Sequence, residues 1–255
     1  MASLPIRAEA SFLFEREHHR SVALVLQSLD PEVLASRHCY FGGGTAMALR
    51  YGEYRESVDI DFLVSDLAGY RNLRQMLDSG QGLNPLVREG MQLELVRELR
   101  ADQYGIRTQL RSGGATIKFE IVLEGRIELA WPGDDDRVCG IASLSPLDLA
   151  AEKLLANADR WADDAVFSRD LVDLAMQQPS RALLKAACAK AEGAYGASIR
   201  RSLGQAVNAL RDRAHRLDDC MRALGIVSVS KAQLWQRIRA LQRTLPEEGR
   251  NEPVR

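Results

Sequence analysis

Cysteine is scarce in this sequence and never clustered: Cys39, Cys139, Cys188 and Cys220 are four in 255 residues. No C-x-x-C pair occurs and no histidine stands at zinc spacing from them, which excludes a zinc-ribbon or disulfide-stapled scaffold. The thiols read as reduced, as in cytosol. Histidine is as sparse, and His18, His19, His38 and His215 show no ligand spacing, so each reads as structural or exposed. Long apolar runs are missing too. No stretch approaches the roughly eighteen apolar residues of a membrane span, and "MASLPIRAEASFLFEREHHR" holds no uninterrupted apolar core of a signal peptide. The expectation is a cytoplasmic protein.

What is present is the composition of a folded chain. With 46% apolar and 27% charged residues it is too apolar for intrinsic disorder, and its length suits one large domain or two smaller ones. The formal net charge of −1 conceals a split. Residues 1–140 carry 16 Lys/Arg against 21 Asp/Glu, whereas residues 181–245 carry 13 against 4, a local excess of +9.

Apolar positions Phe12, Leu13, Val22, Leu24, Val25 and Leu26 predict a helix over 8–28. "LDPEVLASRH" predicts a second, with Asp30 as N-cap and Pro31 at its first position. A short strand at Tyr40–Phe41 leads into "GGGTAMALR", with a helix from about Thr45 to Tyr51. "SVDIDFLV" places Val58, Ile60, Phe62 and Val64 on one face of a strand, and Ser65 or Asp66 caps the helix that follows, to about Leu77. Residues 93–129 read as β, from "LELVREL" through a hairpin turned at "SGG", and "VCGIASLS" supplies one more short strand. From Pro146 on the pattern is helical, over roughly 146–161, 166–177, 180–193, 197–211, 214–224 and 230–244. The expected fold class is α+β: a mixed α/β domain at 1–140, a helical domain at 141–245 and a disordered tail at 246–255.

The chemistry concentrates in the first domain. A strand has period two, so Asp59 and Asp61 share a face with Cα atoms roughly 6.5 Å apart. Two carboxylates side by side on a rigid element suit a hard cation such as Mg²⁺. A third acid stands in "TIKFEIVL", where Ile117, Phe119, Ile121 and Leu123 form the apolar face and leave Lys118 and Glu120 on the other. A lone acid held mid-strand is costly unless a positive group is near it. The glycines at 42–44 permit positive φ and close approach of backbone amides at a helix N-terminus, a place that favours phosphate. They match neither G-x-x-x-x-G-K-[ST] nor G-x-G-x-x-G, because Met47 stands where the latter needs its last glycine. Alone, a triple glycine reads as a turn and D-x-D as surface charge; together with Glu120 they read as a triphosphate and metal site.

The motifs "GGGTAMAL", "RESVDID" at 55–61, "KFE" at 118–120, "DLAAEK" at 148–153 and "RDLVDL" at 169–174, in that order, resemble the AbiEii/AbiGii nucleotidyltransferase toxins of the DNA polymerase β-like superfamily. The resemblance runs from about residue 40 to 176. It implies a polymerase-β-like mixed sheet with flanking helices, a helical C-terminal half, and transfer of a nucleoside monophosphate from an NTP to an acceptor. By it, Gly43, Gly44, Thr45, Ser57, Asp59 and Asp61 bind phosphates and Mg²⁺, with two ions expected and Mn²⁺ the alternative. Lys118 and Glu120 fill the second motif, Asp148 and Lys153 the third, and Asp170 or Asp173 the fourth. Glu120 stands where the family usually has Asp, one methylene shorter, and Thr45 where the superfamily usually has Ser.

In the reaction so implied, the acceptor attacks the α-phosphorus in line and pyrophosphate leaves, so the protein chiefly positions groups and neutralises charge. Asp59 and Asp61 would hold both ions, Glu120 would bind the acceptor-side ion or accept the proton, and Lys153 would pair with the triphosphate. Arg55 either touches phosphate or pairs with Glu53 or Glu56. Asp170 and Asp173, three apart, face the same way on a helix, toward base, ribose, Lys153 or solvent. The resemblance also implies a tRNA 3′ end as acceptor and a separate antitoxin as partner. The basic helices at 181–245 suit RNA, or an acidic partner. A small-molecule acceptor, or a weakly catalytic protein that only binds nucleotide or a partner, are the other readings.

Overall fold

The structure is a computed structural model and describes residues 14–78 and 80–243. Calls for residues 8–13 and for the tail at 246–255 lie outside them. The chain divides into two units, 1–145 and 146–255.

In the first unit, helix α1 (Glu17–Ser28) buries Val22, Ala23, Val25 and Leu26. Asp30 caps α2 (Pro31–Ala35) by accepting from the amides of Glu32 and Val33, with Pro31 at the start. Strand β1 (Tyr40–Gly42) runs directly into α3 (Gly43–Arg50), and β2 (Ile60–Val64) into α4 (Leu67–Leu77), which Asp66 caps through the amides of Ala68 and Gly69. The remaining strands are β3 (Glu94–Leu95), β4 (Arg100–Ala101), β5 (Gly105–Ser112), β6 (Ala115–Leu123) and the small pair β7 (Arg137–Val138) and β8 (Ile141–Ala142).

The main sheet is mixed. Its order is β1-β2-β6-β5-β3, with β4 also on β5; β2 and β6 are parallel and the other pairs antiparallel. One face is the core. Phe41, Phe62 and Phe119 stack across β1, β2 and β6 with neighbouring ring centroids 5.7 Å apart, all three buried. Each such ring contributes about 1.5–3 kcal/mol by leaving water. The opposite face carries the polar residues of the same strands.

Two β expectations change. "LELVREL" holds only the two-residue strand β3, and β4 follows just after it; both pair with β5, and Val96 between them is exposed. Strand β2 begins at Ile60, and Val58 is exposed at 37%. Strand β1 ends at Gly42 opposite Asp61, where the chain turns into α3, so residues 58–59 have no partner on that side.

The second unit holds α5 (Pro146–Arg160), α6 (Arg169–Gln177), α7 (Arg181–Tyr195), α8 (Ser198–Asp212), α9 (Arg216–Ala223) and α10 (Lys231–Arg243), and no strand among its described residues. Its core is helix on helix: α8, for example, buries Ile199, Leu203, Ala206, Val207 and Leu210 at helical spacing. No helix among the described residues is long and apolar enough to cross a membrane.

Candidate active site

The triple glycine is required for three separate reasons. A Cβ at Gly42 would lie 2.5 Å from a Leu63 methyl and 2.8 Å from a Leu144 methyl, so any side chain there would have to displace both leucines. Gly43 has φ +69°, and a Cβ there would lie 2.5 Å from the Asp61 carboxylate. At Gly44 a Cβ would overlap the Arg55 guanidinium. The turn thus brings the backbone at the start of α3 down onto a carboxylate and a guanidinium.

The segment between α3 and β2 completes this corner. Thr45, 1% exposed, shares a hydrogen bond with Ser57 across 2.9 Å between their hydroxyls. Arg55 is buried and donates to the Glu56 carbonyl at 2.8 Å. Of the acids considered as its partners, Glu56 pairs with Arg16 at 3.1 Å, and Glu53 accepts from His19 and from the amides of Glu15 and Arg16.

His19 is the residue that spacing did not disclose. Fully buried on α1, it donates from Nδ1 to Glu53 across 2.7 Å, while its Nε2 accepts the Ser57 amide at 3.3 Å. That pair of contacts fixes the neutral tautomer with the proton on Nδ1. Burial lowers its pKa and outweighs the opposing hydrogen bond and charge of Glu53. A chain Glu53, His19, Ser57, Thr45 therefore ties α1 to the glycine turn. Its members lie up to 38 residues apart, so no local motif announces them.

On the polar face of the sheet, Asp61 stands directly opposite Glu120 on the parallel pair β2–β6. Asp59 lies one residue before β2, half-buried like Asp61. Glu120 accepts from Lys118 at 2.7 Å and from Arg107 Nε at 3.1 Å, so the positive group expected beside it is present twice. Burial works to lower the Lys118 pKa, yet the hydrogen bond and charge of Glu120, with the charges of Asp61 and Asp59, raise it overall. Arg107 was not singled out by sequence. The signal existed: it lies five residues before the hairpin turn and Glu120 five after Ala115, so the Ser112–Ala115 register sets them opposite each other. Among the described residues, no three Asp, Glu, His or Cys side chains gather to hold a metal ion as they stand.

The remaining candidates fall in the helical unit and form ion pairs there. Lys153, buried on α5, pairs with Asp170 at 3.1 Å and Asp173 at 2.7 Å, both on α6 and both buried. Arg160 adds a second contact to Asp170 at 2.7 Å. Burial alone would raise the Asp170 pKa, but Lys153 and Arg160 hold it well below the usual carboxylate range. Asp148, fully buried, pairs with Lys190 of α7. Much of the basic charge at 181–245 is likewise paired within the unit: Arg200 with Glu192, Arg213 and Arg216 with Asp164, Arg222 with Asp219 and Lys231 with Asp218.

Known proteins share this fold. A solved structure from H. pylori described as a nucleotidyltransferase superposes with a TM-score of 0.52 at 14% identity, covering 94% of this chain and all of its own. JHP933 from Helicobacter pylori gives 0.51 at 13%, covering 93% and 97%. Both likenesses concern the fold. No curated protein matches the sequence. The family described as "Nucleotidyl transferase AbiEii toxin, Type IV TA system" matches residues 25–247, nearly the whole chain. The protein therefore belongs to the AbiEii toxin family and is a nucleotidyltransferase.

Proposed function

We propose that the chain transfers a nucleoside monophosphate from an NTP to the 3′ end of a tRNA in a Mg²⁺-dependent reaction, as the toxin of a two-protein system with a cognate antitoxin. The observation that carries the reading is the close approach of the Gly43 backbone to Asp61, which itself faces Glu120 across β2–β6. One stretch of sheet thus offers amides for phosphate beside carboxylates for cations.

The donors fit a hard cation, because carboxylate oxygens on adjacent strands are what Mg²⁺ prefers, with Mn²⁺ the alternative. Asp59, Asp61 and Glu120 would hold it. Bound there, it would offset the negative charge of the triphosphate and the attacking oxygen. The protein groups have separate tasks. The amides of Gly43 and Gly44 at the N-terminus of α3 and the hydroxyls of Thr45 and Ser57 hold phosphate oxygens, with Arg55 and Lys118 adding positive charge. Glu120 accepts the proton of the acceptor hydroxyl as its oxygen bonds to the α-phosphorus and pyrophosphate leaves. In the helical unit, Lys153 with Asp148, Asp170 and Asp173 are the candidates for nucleotide contact.

The test incubates the protein with each α-labelled NTP, Mg²⁺ and total tRNA, beside an Asp59→Ala/Asp61→Ala variant. Label on tRNA that the variant does not produce supports the reading. Absence of label on tRNA with label on a small molecule moves the acceptor to another class, and no label or pyrophosphate at all removes the proposed reaction.

A further inference from the structure

A single row of residues crosses the polar face of the sheet. Strand register aligns Gly42 with Asp61, Asp61 with Glu120, Glu120 with Arg107, and Arg107 with Arg100. Strands lie about 4.8 Å apart, so the row runs roughly 19 Å from the glycine turn to β4, and Arg100 stands roughly 10 Å beyond Glu120. Over its far half lies a groove of about 520 Å³, lined among others by Arg97, Glu98, Arg100, Arg107, Lys118 and Glu120.

The charges in that groove are unequal in kind. Glu120 is already neutralised by Lys118 and Arg107. Arg97 and Arg100 are exposed and make no ion pair among the described residues. Glu98 is the one other acid among the described lining residues, and Asp102 beside the groove holds a looser second contact of Arg107 at 3.4 Å. The groove therefore presents a surplus of positive charge beside the carboxylate that faces the reacting hydroxyl. Guanidinium groups suit phosphate because their fork matches its oxygens. A small uncharged acceptor would need none of this beyond Glu120. A strand that ends in a hydroxyl and continues as a chain of phosphates would need it all.

We propose that this groove is the acceptor subsite: the terminal hydroxyl of an RNA strand sits at Glu120, and the phosphates that precede it lie on Arg107, Arg100 and Arg97. The inference rests on the transferase reading for the identity of that hydroxyl and on the groove alone for phosphate binding. It places acceptor recognition on the sheet of the first unit, whereas the basic helices at 181–245 spend much of their charge on internal pairs.

The test measures binding and transfer separately. Fluorescence anisotropy with a labelled single-stranded RNA and with tRNA, over a salt series, compares the full-length protein with Arg97→Glu/Arg100→Glu and Arg97→Lys/Arg100→Lys. Both positions are exposed, and circular dichroism verifies the fold. The glutamate pair is expected to weaken RNA binding at least tenfold and to flatten the log–log salt slope by about 1.4, two phosphate contacts at roughly 0.7 each for a single strand. The lysine pair keeps the salt slope, and NTP affinity stays unchanged in both. Unaltered RNA affinity and slope in the glutamate pair overturn the proposal, as does a loss of NTP affinity in its place, which would make the groove a triphosphate site. RNA bound through the groove by a wild-type protein that transfers no label overturns the transferase reading and leaves phosphate binding by the groove standing.

Discussion

Arg107 and Glu120 face each other across the β5–β6 hairpin, Nε to Oε1 at 3.1 Å, and the pair explains how an acid persists mid-strand between Phe119 and Ile121. Lys118, two residues along the same strand face, closes on the other oxygen at 2.7 Å. Both carboxylate oxygens of Glu120 are thus each met by a cation.

Removing the charge separates the two tasks of this residue. Glu120→Gln keeps the shape and abolishes the proton acceptor, so transfer is expected to fall by about 10²–10⁴-fold. Stability should shift by less than about 1 kcal/mol, because both cations are partly exposed and remain hydrated. Single-turnover rates and a urea titration check the two halves. Wild-type turnover in the variant would remove Glu120 from the reaction.

The glycine turn makes a sharper claim about space. Gly43→Ala must hold alanine at φ +69°, a cost of roughly 1–2 kcal/mol, and must also push back the Asp61 carboxylate. Gly52 has φ +87° with nothing near its would-be Cβ, so Gly52→Ala suffers the strain alone. Gly43→Ala should lose more stability than Gly52→Ala in thermal unfolding, and only Gly43→Ala loses NTP affinity in calorimetry. Equal NTP affinity in the two would disconnect the turn from phosphate.

How much of this was legible in the sequence depends on how far apart the partners lie. Helical periodicity is local, and α5 to α10 fall within about three residues of their expected bounds. The hairpin is nearly as local. "SGG" fixes a register, and the register names Arg107, although composition alone gives no reason to follow it. The pleat correctly separated Phe119 from Glu120, yet could not say that β1 stops at Gly42 and frees Val58. The demands on the glycines come from Leu63, Asp61 and Arg55, and His19 meets partners 34 and 38 residues away. Such contacts exist only once the chain has folded.

Lys153 offers a test in the helical unit. Lys153→Met leaves Asp170 and Asp173 buried without their shared cation, an expected cost of about 3–5 kcal/mol. Arg160 still donates to both oxygens of Asp170, which limits the loss there and leaves Asp173 the more exposed to it. Adding Asp173→Asn should recover part of the loss, because fewer charges are then stranded. The wild type carries a linked pH signature. Asp170 has a folded pKa below its unfolded value, so its stabilisation is complete above the unfolded value and is lost as pH falls through the acid range. Chemical denaturation from pH 7 to 3 measures both, and a Lys153→Met stability equal to wild type contradicts the buried network.

His19 titrates in a milder range. In the unfolded chain its imidazole takes a proton near pH 6.5, whereas burial lowers the folded value. Between the two, the unfolded state binds more protons, so acid lowers stability, by at most about 1.4 kcal/mol per pH unit. The groups that face the ring are Glu53, Arg16 and Glu56; both acids resist the shift and Arg16 assists it. Protonation would also put a hydrogen on Nε2, where the Ser57 amide already points, and so loosen the turn beside Thr45. His19→Ala is expected to cost about 1–3 kcal/mol for the Ser57 amide left without its acceptor, Glu53 keeping the amides of Glu15 and Arg16. His19→Gln, able to offer an oxygen in place of Nε2, should restore part of that and remove the pH dependence that sets in below about 6.5. The decisive readout is kinetic. If the histidine positions the phosphate corner, the NTP KM rises in His19→Ala at temperatures where the protein remains folded, and falls back in His19→Gln. A KM unchanged in both would leave His19 a purely structural residue of α1.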